Sequence, residues 1–423
     1  MKEELPRYPA YQKSRISWAN LIPVGWETGW LGECSSSIQT GPFGSQLHAS
    51  DYINEGIPVI NPSNIAKGKV VADWDNTVTE SKAMALSRHR FQLGDIVFGR
   101  RGEMGRCAAI GQDEIGWLCG TGSLLVRLKQ NRLLPDFAVL LLSQESVRDT
   151  LILESVGATM DNLNTRILAK IRIPVPPISE QVTILAFLKR ETAKIDRLMD
   201  VRRKQIETLQ EQRTAVIHHA VTKGIDPQAK MKPSGVEWLG DVPEEWQVYR
   251  LKYTAKIKNG QDYKAVEAED GYPVIGSGGQ FAFANQYLFQ GESVLFGRKG
   301  TINKPLYING RFWTVDTMFY TQVKECIIPK FLYYCAVGFP FEYYSTQTAL
   351  PSMTQQDIGN HPIALPSLIE QERIVAYIEY ETRKIDTLTT KYQRELELLA
   401  EYRAALISHA VTGKIDVRGL VEL

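Results

Sequence analysis

"AVIHHAVTKGID" occupies residues 215–226 and "ALISHAVTGKID" occupies residues 405–416. Eight of the twelve aligned positions are identical: Ala215/Ala405, Ile217/Ile407, His219/His409, Ala220/Ala410, Val221/Val411, Thr222/Thr412, Ile225/Ile415 and Asp226/Asp416. A phrase written twice at an offset of 190 predicts a chain built as two copies of one plan. The offset persists upstream without a gap. Pro176 matches Pro366, Glu180-Gln181 matches Glu370-Gln371, and Lys194-Ile195-Asp196 matches Lys384-Ile385-Asp386.

Between these landmarks the chain has helical character. No Pro or Gly occurs from Ser179 to Thr222, or from Leu368 to Thr412. At about 1.5 Å per residue each stretch predicts a rod of roughly 65 Å. The apolar positions step by three and four. One seam is Leu188, Thr192, Ile195, Met199, Arg202, Ile206, Leu209, Arg213, Val216 and Ala220. The other is Ile378, Thr382, Ile385, Thr389, Tyr392, Leu396, Leu399, Arg403, Leu406 and Ala410. Heptad seams this narrow need a partner, and each is the natural partner of the other; the alternative is two helices packed on two separate domains. The candidate helix–helix contacts are Ile195, Met199, Ile206, Leu209, Ile385, Leu396, Leu399 and Leu406.

The repeat reaches further upstream at shifting offsets. Ser14, Trp18, Pro23 and Trp26 match Ser234, Trp238, Pro243 and Trp246. "IPVI" (57–60) resembles "YPVI" (272–275), and "FGRRGEMGR" (98–106) matches "FGRKGTINK" (296–304). "LLPDF" (133–137) resembles "IIPKF" (327–331), each opening an apolar helix with Pro near its first turn. The offset falls from 220 to 190, so the second globular half is shorter, as when one framework carries loops of different length. The expected architecture is globule, long helix, globule, long helix. The globules mix short strands with helices, an α/β or α+β class. The two long helices form an antiparallel coiled-coil spacer within a pseudo-two-fold tandem repeat. The expected boundaries are 1–175, 176–229, 230–365 and 366–423. The joins, "IPVPPIS" (173–179) and "GIDPQAKMKPSG" (224–235), are rich in Pro.

Bulk properties exclude several classes. At 423 residues more than one core is expected. No apolar run is long enough for a membrane span, and the first residues lack a secretory h-region. Five cysteines (Cys34, Cys107, Cys119, Cys326, Cys335) form no CxxC pair, which argues against a disulfide framework or zinc knuckle and suits a reducing cytoplasm. With 49 basic against 48 acidic residues, any contact with a polyanion must come from local patches.

Catalytic motifs are absent from the text. There is no GxxxxGK[ST], no GxGxxG, no HExxH and no GxSxG. "GSGG" (276–279) is too short for a dinucleotide fingerprint. "NPSN" (61–64) resembles the NPPY of amino-methyltransferases only faintly, without its second Pro or its aromatic. His218-His219 suggest a metal pair, but neighbouring helical residues point about 100° apart. Ser408 also replaces the first of them in the second copy. His219 and His409 suit helix-end packing.

One motif has the logic of a polyanion site. Arg100, Arg101 and Arg106 match Arg298, Lys299 and Lys304, each set following a strand and sitting among glycines. Such side chains can reach phosphates, and Arg can engage guanine in two places. The alternative is a solvated hairpin tip. Two Gly/Ser/Gln loops, "TGPFGSQLHASDY" (40–52) and "GSGGQFAFAN" (276–285), add Ser45, Gln46, Ser277 and Gln280 as candidate readers of base edges.

Together these residues resemble the DNA-specificity (S) subunit of type I restriction–modification systems. The resemblance is carried by "YPAYQKSRISWANLIPVGWE" (8–27), "KPSGVEWLGDVPEEWQVYRLK" (232–252), "GDIVFGRRGEMGR" (94–106) and "PPISEQ" with the repeated "KID" and "HAVT". It covers nearly the whole chain, although "ISWANLIP" departs from the pattern that "VEWLGDVP" follows. The resemblance implies two target-recognition domains, each reading half of a bipartite DNA site. It implies helices that set the spacing and dock two methyltransferase (M) subunits, with two restriction (R) subunits joining them. S-adenosylmethionine would sit on the M subunits and ATP with Mg on the R subunits. This chain would hold no cofactor or metal and catalyse nothing itself. The assembled complex would methylate adenine and cleave DNA using ATP. The competing readings are a self-contained methyltransferase or nuclease, and a two-lobed scaffold for proteins.

Overall fold

The computed structural model describes residues 5–66, 68–100, 105–155, 163–344 and 351–421. Two long α-helices dominate it, Ile178–Lys223 and Leu368–Val411. Prolines 176, 177 and 366 stand just before them, where a missing amide costs nothing. Each ends on a glycine in the left-handed region, Gly224 (φ 79°) and Gly413 (φ 73°), the conformation that stops a helix most cheaply. A side chain at Gly413 would also lie 2.4 Å from the Pro23 ring.

The chain divides into two compact units, Met1–Met199 with Glu397–Leu423, and Asp200–Leu396. Each unit therefore contains one globule, part of its own long helix and part of the other. In the first unit, Ile184, Phe187, Leu188 and Ile195 share a core with Leu406, Ala410, Val411 and Ile415. In the second, Ile217, Ala220 and Val221 share a core with Ile374, Val375 and Ile378. Inside each unit the helical segments run antiparallel. Arg190 bonds the Leu420 carbonyl and Asp196 pairs with Arg403 in the first; Arg202 pairs with Glu395 and Arg213 with Asp386 in the second. Asp196–Arg403 and Asp386–Arg213 are the same pair at an offset of 190. None of the ten seam positions on either helix is exposed. Ile195 and Leu406 are buried; Met199, Ile206, Leu209, Ile385, Leu396 and Leu399 are half-buried.

The first globule is built on strands β1 (Glu27–Trp30), β2 (Ser35–Thr40), β3 (Ile57–Ile60), β4 (Ile96–Gly99), β5 (Cys107–Ala109), β6 (Leu118–Cys119), β7 (Ser123–Leu128) and β8 (Arg172–Val175). An antiparallel sheet has the order β5-β4-β7-β2, and a second sheet pairs β6 parallel to β3. The second globule uses β9 (Gln247–Arg250), β10 (Ala255–Asn259), β11 (Tyr272–Gly276), β12 (Gly279–Ala284), β13 (Phe289–Gly297), β14 (Leu306–Thr314), β15 (Met318–Val323) and β16 (Pro362–Leu365). Here one seven-stranded sheet runs β10-β15-β13-β14-β11-β12, closed by Glu267–Ala268. The difference has a local cause. β14 pairs with β13 on one side and β11 on the other, so it joins the two halves. In the first globule the same path is broken into β5 and β6 by the loop around Gly111–Trp117, and the sheet splits.

Each globule is fixed to its long helix by the same device. The buried Gln181 carboxamide accepts from the Leu134 amide (2.8 Å) and donates to the Arg132 (2.9 Å) and Pro176 (2.8 Å) carbonyls. Gln371 accepts from the Ile328 amide (2.8 Å) and donates to the Cys326 (3.1 Å) and Pro366 (3.0 Å) carbonyls. β1–β8 and β9–β16 are equivalent two-stranded pairs beside these clamps. The neighbouring carboxylates diverge. Glu370 accepts from the Trp246 indole at 3.0 Å. Glu180 accepts instead from the Tyr8 hydroxyl, and the Trp26 indole N–H has no partner among the described residues. His361, fully buried in the second unit, stacks on Trp238 at 4.5 Å between ring centroids, and burial pushes its pKa down to about 3. Among the described residues no helix is long and apolar enough to cross a membrane.

Candidate nucleic-acid interface

In both units one end of the sheet is drawn together around glycines. In the first, the Gly41 amide follows β2 and donates to the Ser123 carbonyl at 2.9 Å. Gly120 donates to Ile60, and Gly122 to the Asn61 carboxamide at 3.3 Å. A Cβ on Gly41 would fall 1.8 Å from the Gly120 carbonyl, so no other residue fits. In the second unit, Gly260 follows β10 and donates to Met318 at 2.9 Å, and its Cβ would fall 2.0 Å from the Val315 carbonyl. Val315 donates to Ile275, which puts the β11–β12 turn beside the β14–β15 turn.

Arginine enters both ends at the same point. The Arg100 amide donates to the Gly122 carbonyl (2.9 Å) and the Arg298 amide to Thr317 (2.8 Å). Their side chains differ. Arg100 is half-buried and its Nε donates to the Leu163 carbonyl at 3.2 Å, a hold on its own globule. Arg298 is exposed, with Nη1 3.3 Å from the Asp316 carbonyl. Lys299 and Lys304 are exposed on the β13–β14 connection, and Lys299 bridges to Ser352. Arg106 is exposed on the β4–β5 connection, where its carbonyl accepts from Gly99. Arg101 lies outside the described residues.

Ser45 and Gln46 are exposed on a 3-10 turn, Gly44–Gln46, that follows Gly41. The Gln46 carboxamide oxygen accepts from the Phe43 amide at 3.3 Å, beside a Phe43 ring that is 61% exposed. Ser277 is half-buried in the two-residue turn between β11 and β12. Gln280 is exposed on β12 opposite Ile275. Sheet pairing thus gathers Ser277, Arg298 and Lys299 at one end of the second sheet.

Sequence reasoning missed other residues at these ends. Gln261 and Tyr263 follow Gly260 as Phe43 and Gln46 follow Gly41. Asn61 supports Gly122. Thr121 and Asp316 are exposed at the tips of the β6–β7 and β14–β15 turns. A faint signal existed: "QTG" (39–41) and "KNG" (258–260) each end a strand on glycine.

The arrangement offers exposed cations, amides and hydroxyls over backbone that a ligand can approach closely, suited to phosphates and base edges. Among the described residues no group of three or more His, Cys, Asp or Glu is placed to hold a metal. Burial lowers the pKa of His409 in the second copy of the "HAVT" phrase, and that of His218, which precedes the first copy.

The family model for the type I restriction modification DNA specificity domain matches residues 23–208 and 243–398. A putative type I restriction enzyme MjaX specificity subunit from Methanocaldococcus jannaschii is 24% identical, over 94% of this chain and 95% of that protein. A chain solved in work on complex assembly and conformational transition of the type I R-M system superposes with a TM-score of 0.72 at 18% identity, covering 93% of this chain and 99% of that one. The HsdS subunit from Thermoanaerobacter tengcongensis gives a TM-score of 0.56 at 18% identity, covering 93% and 98%.

Proposed function

The chain belongs to the type I restriction–modification DNA-specificity family, and from that membership we propose that it is the sequence-reading subunit of such a complex. It is a DNA-binding component and not an enzyme. Each globule reads one half of a bipartite double-stranded target. The segments 1–175 and 230–365 are the two readers, and 176–229 and 366–423 are the spacer. The observation that supports this reading best is the repeated sheet end. The same glycine closure, arginine entry and exposed turn tip occur in both units, with different side chains displayed.

On this reading Ser45, Gln46, Arg106, Ser277, Gln280, Arg298, Lys299 and Lys304 face DNA. Lys304 and Arg106 serve phosphates, and the amide and hydroxyl groups serve bases. Arg100 positions the first tip from behind. The long helices set the distance between half-sites and carry two methyltransferase subunits, which bring S-adenosylmethionine. Two restriction subunits bring ATP and Mg, and the complex works in the cytoplasm. A helix near 65–70 Å long is ample to span half-sites about 34–36 Å apart. Near-zero net charge leaves much of the phosphate contact to the partners.

Methylome sequencing of cells with and without the gene tests the proposal. It expects one asymmetric bipartite motif to lose methylation when the gene is removed. No change in any bipartite motif would refute DNA reading. Methyl transfer by the pure chain given S-adenosylmethionine and DNA would refute the non-catalytic role.

A further inference from the structure

We infer that Asp316 is a specificity-determining residue of the second unit and that it recognises the exocyclic amino group of a cytosine. The inference rests on the reading of the sheet ends as the base-facing surface. Its ground is a difference between two turns that are otherwise equivalent.

Thr121–Gly122 links β6 to β7, closed by the Ser123 amide on the Gly120 carbonyl at 3.0 Å. Asp316–Thr317 links β14 to β15, closed by the Met318 amide on Val315 at 3.0 Å. In each, the second residue's carbonyl receives an arginine amide, from Arg100 or Arg298, and the first residue is exposed at the tip. One tip displays a hydroxyl and the other a carboxylate. Only the Asp316 carbonyl is engaged, by Arg298; its carboxylate has no partner among the described residues.

An unpaired carboxylate beside Arg298 and Lys299 is costly on a surface meant for phosphates, because it repels the polyanion the cations attract. It is favourable where it meets a donor, and an ionised carboxylate can only accept. In the major groove guanine presents two acceptors, N7 and O6, and thymine presents O4. Adenine presents the N6 amino group beside the N7 acceptor, which repels the second carboxylate oxygen. Cytosine presents the N4 amino group with no acceptor next to it on the same base. Cytosine is therefore the base that a carboxylate tip selects. The Thr121 hydroxyl donates or accepts and imposes no such choice.

The test uses the full chain assembled with its methyltransferase subunits. Anisotropy competition is measured against duplexes that carry single-base substitutions across the target found by methylome sequencing. Variants D316A and D316N change an exposed side chain with no described contacts, so folding is retained; T121A alters the other tip. For the wild type, replacing one cytosine in one half-site should weaken binding about 5- to 100-fold. D316A should flatten the penalty at that position alone. D316N should shift the preference there toward adenine, whose N6 and N7 a carboxamide takes together. T121A should leave that position unchanged. The inference is overturned if D316A alters no position, if the altered base is not cytosine, or if D316A tightens all duplexes equally. A wild-type complex that bound every duplex alike would overturn the DNA-reading function itself, and the inference with it.

Discussion

Replacing Gln371 with alanine removes a fully buried carboxamide that makes three hydrogen bonds to main chain. What remains is one amide, that of Ile328, and two carbonyls, those of Cys326 and Pro366, in a site closed to water. Leaving a buried polar group unsatisfied costs about 1–3 kcal/mol, so three such groups, with partial hydration of the space vacated, put the loss near 3–5 kcal/mol. That is a large share of the roughly 5–15 kcal/mol that holds a domain folded. The damage should be local. Hydrogen-exchange mass spectrometry should show the Ile328 amide and strand β16 losing protection, while peptides of the first unit keep theirs. Q371E sharpens the test, because an ionised glutamate can accept from Ile328 but cannot donate to either carbonyl. Its second unit should be unstable at neutral pH and partly recover in acid, as the side chain regains a proton to donate. Wild-type protection at Ile328 in Q371A, or a loss below about 1 kcal/mol, would refute the clamp as an energetic element.

Three other perturbations carry distinct signatures. Ile195→Asp places a charge among Leu188, Leu406 and Ala410, and should cost the first unit about 3–5 kcal/mol by urea titration; a loss no larger than for the half-buried Ile385→Asp would contradict the burial difference. His361 titrates near pH 3 when folded and about 6.5 when unfolded, so the unfolded chain binds an extra proton between those values. Stability of the second unit should therefore fall as pH drops through that window, with His361 contributing up to about 1.4 kcal/mol per pH unit, and H361F should make the profile shallower by that share; parallel pH profiles of wild type and H361F would refute this. Lys304→Ala should weaken binding to all DNA sequences alike and lower the salt slope of binding by about 1; a change confined to particular bases would show a base contact instead.

The helices were legible because a heptad seam, the absence of Pro and Gly, and glycine stops are all local signals, written twice. The basic connections were legible for the same reason, since both halves keep positive charge at matching places. The turn tips were not. Thr121 and Asp316 share no letter, and their equivalence comes from Ile60 lying beside Cys119 and Ile275 beside Thr314, pairings between distant strands. Arg100 was legible as a cation, but its hold on Leu163 depends on a segment some sixty residues away. The split of the first sheet was equally hidden, because it follows from where β14's counterpart breaks.

Gln181 and Gln371 address only main-chain atoms in all their hydrogen bonds. A joint of that kind is a socket indifferent to the side chains of whatever is plugged into it. A globule can be rewritten wherever it does not share the apolar core of the helix, as Phe137 and Phe331 do, and still keep this joint. Change in what is read is thereby uncoupled from assembly, and a new target can arise without renegotiating the frame that holds it.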